Sequence, residues 1–112
     1  MMSGKETAKT EITAQQFPAL WAFLRGYFHQ DMKDEYGSLE AATRQFCEDA
    51  DSAERKAVEK EWERFVEQTS TEPLSVVNQL ITRNLGSACT FASPEELKKI
   101  SDVFRNCRGA SG

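Results

Sequence analysis

The chain is short of the residues on which most site chemistry depends. Histidine occurs once, as His29, and cysteine three times, as Cys47, Cys89 and Cys107. Structural zinc sites take four Cys or His ligands at short spacings, and no CxxC pair is present here. An odd number of widely spaced cysteines gives no full disulfide framework, so the expectation is reduced, packed thiols of the cytosolic kind. There is no glycine-rich phosphate loop and no HExxH. No apolar run approaches the roughly 20 residues that span a bilayer. The opening residues carry Lys5, Glu6 and Lys9 without an apolar stretch, so they do not read as a signal peptide. Basic residues number 14 against 18 acidic ones, a net charge of -4, whereas a general nucleic-acid binder reads basic. Together these absences disfavour metal, nucleotide, membrane and polynucleotide functions.

What is present suits one small helical domain. Of 112 residues, 39% are hydrophobic and 29% charged, a globular balance, and seven Phe and two Trp can fill a core. Five helices and no strand are expected, an all-α fold in one compact bundle. Pro18 opens the first, where its missing N–H has no partner to lose. Leu20, Trp21, Phe23, Leu24, Tyr27 and Phe28 cover more than half of its circumference, which predicts a central position. Residues 29–37 lack any period and end in Gly37, and are read as an acidic loop. Ser38 caps a second helix with the stripe Leu39, Ala42, Phe46 and Ala50. Asp51 caps a third, lined by Val58, Trp62, Phe65 and Val66, with Glu61 and Arg64 on its charged outer face. Pro73 starts a fourth, which Gly86 ends. Ser93, Pro94 and Glu96 open a fifth, lined by Leu97, Ile100, Val103, Phe104 and Cys107. The boundaries expected are a flexible arm over 1–16, the domain over 17–107 and a flexible tail over 108–112.

His29 closes the aromatic helix, where an imidazole bonds the last carbonyls and suits the helix dipole. An enzyme built on His29 and Asp31 is remote. Calcium in the acidic loop is disfavoured, because the regular oxygen ligands and central glycine of an EF-hand are missing. Trp21 and Trp62 read as core or near-core anchors, with an interface role for one of them as the lesser reading. The charge distribution is more informative. Residues 31–67 hold twelve acids and six bases, whereas 73–112 hold three acids and five bases. Asp31, Asp34 and Glu35 form one acidic patch, and Glu48, Asp49 and Asp51 another. Tyr36 offers an aromatic anchor beside the first. A cationic partner surface suits these seven residues.

The string Tyr27-Phe28-His29-Gln30-Asp31, within the stretch that opens at Phe17-Pro18-Ala19-Leu20-Trp21, resembles the immunity proteins of contact-dependent growth inhibition (CDI) systems. The likeness extends over roughly residues 17 to 105, through the Ser38 helix to the Ser93 helix. It implies a cytoplasmic inhibitor, not an enzyme, that needs no cofactor. Its partner is the C-terminal toxin domain of a large secreted surface protein, held one to one by a monomer, with no nucleic acid and no membrane. Such toxins are often nucleases with basic grooves, which an acidic inhibitor fills as a phosphate mimic. Asp31, Asp34, Glu35, Tyr36, Glu48, Asp49 and Asp51 are the expected toxin contacts. The rival expectation is a small acidic adaptor that binds a basic peptide or protein surface.

Overall fold

The computed structural model describes residues 12–110, the last three by backbone alone. Within them lie α1 (Pro18–Tyr27), α2 (Met32–Tyr36), α3 (Leu39–Asp49), α4 (Ser52–Gln68), α5 (Leu74–Gln79) and α6 (Pro94–Ala110). A π-helical turn, Leu80–Asn84, continues α5. No strand occurs among the described residues, so the protein is all-α.

The start of α1 depends on a helix that the sequence places far away. Phe17 precedes Pro18 and has no side chain able to cap. The carboxylate of Glu61, from α4, accepts the Leu20 backbone N–H instead, at 2.8 Å. A negative group there meets the positive end of the helix dipole. Arg64, one turn further along α4, lies over the Phe17 ring at 4.5 Å and donates to the Gln16 carbonyl. The charged outer face expected of this helix therefore includes two residues that seat α1. Ordinary caps serve elsewhere: Ser38 accepts from the Ala41 N–H and Asp51 from the Glu54 N–H.

The core is aromatic and centred on Phe23 of α1, whose ring meets Phe28, Phe46 of α3 and Phe104 of α6 at 4.9–5.5 Å. Edge and tilted contacts of this kind add to the burial of each ring. Trp62 is 1% exposed and donates its indole N–H to Ser101 Oγ at 2.8 Å, which satisfies the one polar atom it carries inward. Trp21 lies at the edge of the core instead of inside it. It is 37% exposed, with Arg25 over its ring and Gly86 against its indole nitrogen. Because α1 already buries Leu20, Phe23 and Leu24 on its inner side, Trp21 falls on the rim. Gly86 sits at φ +80°, a conformation that L side chains rarely adopt.

Two further expectations are corrected. The acidic loop contains a helix, α2, because Met32 and Tyr36 are four residues apart and Met32 is buried. Five residues are too few for a period to show. The cysteines are not all free: Cys47 and Cys107 form a disulfide, their Cα atoms 5.6 Å apart and 60 residues apart in sequence. The α3–α6 packing brings them together, and neither helix's own pattern can reveal the other's register. Cys89 stays free, and burial pushes its thiol up from the ordinary value.

Of the arm expected over 1–16, residues 1–11 lie outside the described residues. Ile12 packs against the core, and Asn84 donates to its carbonyl at 2.7 Å. At the other end α6 runs to Ala110, beyond the boundary expected at 107, and residues 111 and 112 lie outside the described residues. No described helix is long and apolar enough to cross a membrane.

Candidate functional site

α1 ends at Tyr27 because Phe28 leaves helical geometry, and the chain turns through His29 and Gln30 into α2. This turn places the acids of α2 beside the far end of α3. Tyr27 and Tyr36 stack, with ring centroids 5.8 Å apart. Tyr27 also stacks on Phe23 and meets the edge of Phe46, so its ring is anchored in the core while its hydroxyl reaches the surface. That hydroxyl donates to Asp49 Oδ2 at 2.8 Å. Gln45, one turn back on α3, donates to the other oxygen, Oδ1, at 2.9 Å. Asp49 is thereby held from two sides.

Electrostatics follow from this arrangement. Burial, then the hydrogen bond and charge of Asp49, hold the Tyr27 phenol far above its ordinary value. Tyr36 is also raised, first by burial and then by Glu35. Both phenols therefore remain donors at neutral pH.

His29 does not bond the α1 carbonyls. Its Nδ1 accepts the Asp31 backbone N–H at 3.1 Å, and its Nε2 lies 3.0 Å from Glu35 Oε1. An accepting Nδ1 leaves Nε2 as the N–H that donates to Glu35, so these bonds describe the neutral imidazole. Asp31 meets the ring through its backbone, not its carboxylate, so there is no Asp–His dyad. Among the described residues no group of three or more His, Cys, Asp or Glu could hold a metal ion.

The two acidic patches separated in sequence are thus partly joined in space. Glu35 and Tyr36 meet Asp49 through the tyrosine pair, with Asp31 tied to the same turn through His29. Asp34 lies exposed on α2. Asp51 is exposed just past α3, its carboxylate already engaged with the Glu54 N–H. Glu48 does not join them. It lines a groove of about 540 Å³ between α3 and α6, with Glu40, Arg44, Lys99 and the disulfide. A step of one residue on a helix is about 100° of rotation, which turns adjacent acids onto different surfaces.

Tyr27, His29 and Gln45 belong to this edge and were not singled out as contacts. The Gln45–Asp49 pair has the i,i+4 spacing that marks helical neighbours and could have been found. The Tyr27–Tyr36 stack has no such signal, because the turn between the two decides it.

A family model described as CdiI immunity protein matches residues 16–100, well over half of the chain. No curated protein and no solved structure gives a significant match.

Proposed function

Since the chain belongs to the CdiI immunity protein family, we propose that it binds and neutralises the toxin domain encoded with it, in the cytosol of the cell that makes both. The toxin is a nuclease, delivered as the C-terminal domain of a large surface protein, and the immunity protein holds it one to one. Neutralisation is by binding and not by catalysis, with no cofactor.

The acidic–aromatic edge is the observation that supports this choice of surface. Glu35 and Asp49 carry negative charge beside the Tyr27–Tyr36 pair, and the hydrogen bonds to them fix both charges in place. Asp31, Asp34 and Asp51 add exposed charge close to them in sequence. A groove built to bind a phosphate backbone is basic, and fixed carboxylates meet it without the ordering entropy that free side chains lose. Tyr36, half-buried, supplies the rigid apolar contact that charge alone lacks. Glu48 stands on the neighbouring groove and borders the contact.

Co-purification with the toxin domain, followed by the toxin's nuclease assay with and without this protein, tests the function. The surface is tested by Asp34→Lys with Glu35→Lys, using calorimetry at two salt concentrations and circular dichroism as the folding control. Weaker binding by the folded variant, and parental affinity that falls with salt, are expected. Unchanged binding by the folded variant rejects the surface and leaves the inhibition assay to decide the function.

A further inference from the structure

The groove between α3 and α6 has a covalent bond in its wall. Cys47 and Cys107 both line it, together with Arg44, Arg55, Lys99 and Val103. Cys107 is 6% exposed, whereas Cys47 is partly open. The preceding residue, Phe46, turns into the core, where it is 1% exposed and meets Phe23 and Phe104. The bond therefore lies outside the aromatic core, on the solvent side of the α3–α6 contact. Disulfides that resist thiols are closed off by packing, while those a thiolate can approach exchange. A groove of about 540 Å³ admits a small thiol.

The end of α3 is the segment that this bond secures. Arg55 Nη1 donates to the carbonyls of Cys47 and Ala50, at 3.3 and 2.9 Å. The core side of the last turn is held by Phe46 and by the Tyr27–Asp49 hydrogen bond, and its groove side by the disulfide.

We propose that the Cys47–Cys107 bond is a thiol-exchange site, reached through the α3–α6 groove by small thiols, and that its reduction loosens the last turn of α3 while the core stays folded. The thiolate of a small thiol such as glutathione attacks Cys47 Sγ, the more open sulfur. The sulfur–sulfur bond breaks, and Cys107 leaves as a thiolate that takes a proton from water. The thiolate of a second small thiol then attacks the small-thiol sulfur of the mixed disulfide, and Cys47 leaves as a thiolate that takes a proton from water. Two protein thiols and one small-molecule disulfide result, so the two electrons come from the pair of small thiols. The site is independent of which toxin is bound.

The oxidised full-length chain is treated with millimolar reduced glutathione at neutral pH, without denaturant. Free thiols are counted over time, and amide hydrogen exchange is followed by mass spectrometry. The thiol count should rise from one, Cys89, to three. Amides near residues 47–51 should exchange about tenfold faster on reduction, while those of Leu20 to Leu24 keep their protection. Cys47→Ala with Cys107→Ala should reproduce the reduced pattern without glutathione. Three outcomes overturn the proposal: a chain that shows three thiols even after mild oxidation, reduction that needs denaturant, or α3 exchange that is the same in both redox forms.

Discussion

α3 shows two neighbouring surfaces that differ in how they are held. On one, Asp49 is bonded by Tyr27 and Gln45 and backed by stacked rings that reach down to Phe23. On the other, Glu40 pairs with Arg44 on the open wall of the groove at 2.6 Å, and the covalent link to α6 lies beside them. The first surface is ordered by stacked rings and hydrogen bonds, the second chiefly by one covalent bond with a few polar pairs around it. An acid on the first has few conformations to lose when a partner arrives. An acid on the second, such as Glu48, keeps more of them. Adjacent residues of like charge are therefore not equivalent as binding groups.

Several changes would break or sharpen this contrast. The largest effect belongs to Phe46, the buried ridge between the two surfaces. Phe46→Ala should lower stability by about 3–5 kcal/mol in denaturant unfolding followed by circular dichroism. A small loss would mean that α3 is seated by its rim and not by its core side. Removing the bond, by Cys47→Ala with Cys107→Ala, should cost the oxidised protein about 2–4 kcal/mol, and excess reductant should bring the parent to the same midpoint. Asp49→Lys should weaken toxin binding by about tenfold or more in calorimetry, and Glu48→Lys by clearly less. Equal effects would erase the distinction between the two faces.

The smallest effect is Tyr27→Phe, which removes one exposed hydrogen bond and should cost about 0.5–1.5 kcal/mol. It also carries a pH signature. The folded chain holds the Tyr27 proton more tightly than the unfolded chain does. The resulting stabilisation is complete below pH ~10, the ordinary phenol value, and is lost as pH rises toward the folded-state value. In an alkaline absorbance titration both tyrosines should ionise late, Tyr27 after Tyr36. The variant lacking the Tyr27 hydroxyl should show only the earlier transition.

The helices other than α2 were legible because each carries its own start signal and its own apolar stripe. Pro18, Ser38, Asp51, Pro73 and Ser93 mark their starts locally, and Phe23, Phe46, Trp62 and Phe104 lie on the buried lines their spacing predicts. The errors fall where one element completes another. Glu61 looks like a solvated charge until α1 is laid beside it. Cys47 and Cys107 look unrelated until α3 and α6 set their mutual register. Met32 and Tyr36 span too little chain to reveal α2. The acids of the candidate edge were visible as a charge excess. That Glu48 turns from Asp49 toward the groove follows from helix rotation, but only the position of α6 shows what it turns to. The family resemblance was carried by residues 17–31, whose Tyr27 and His29 take part in the edge.

Ala88 donates its N–H to the Phe28 carbonyl at 2.9 Å, and the Cys89 thiol approaches the carbonyl of His29. The exit of α1 is thus completed by residues about sixty places later. During synthesis this matters in time. At roughly 5–20 residues per second, several seconds separate the emergence of α1 from that of the segment that finishes it. Its aromatic face, too, waits for Phe104. The aromatic face of α1 therefore stays incompletely covered until α6 is released.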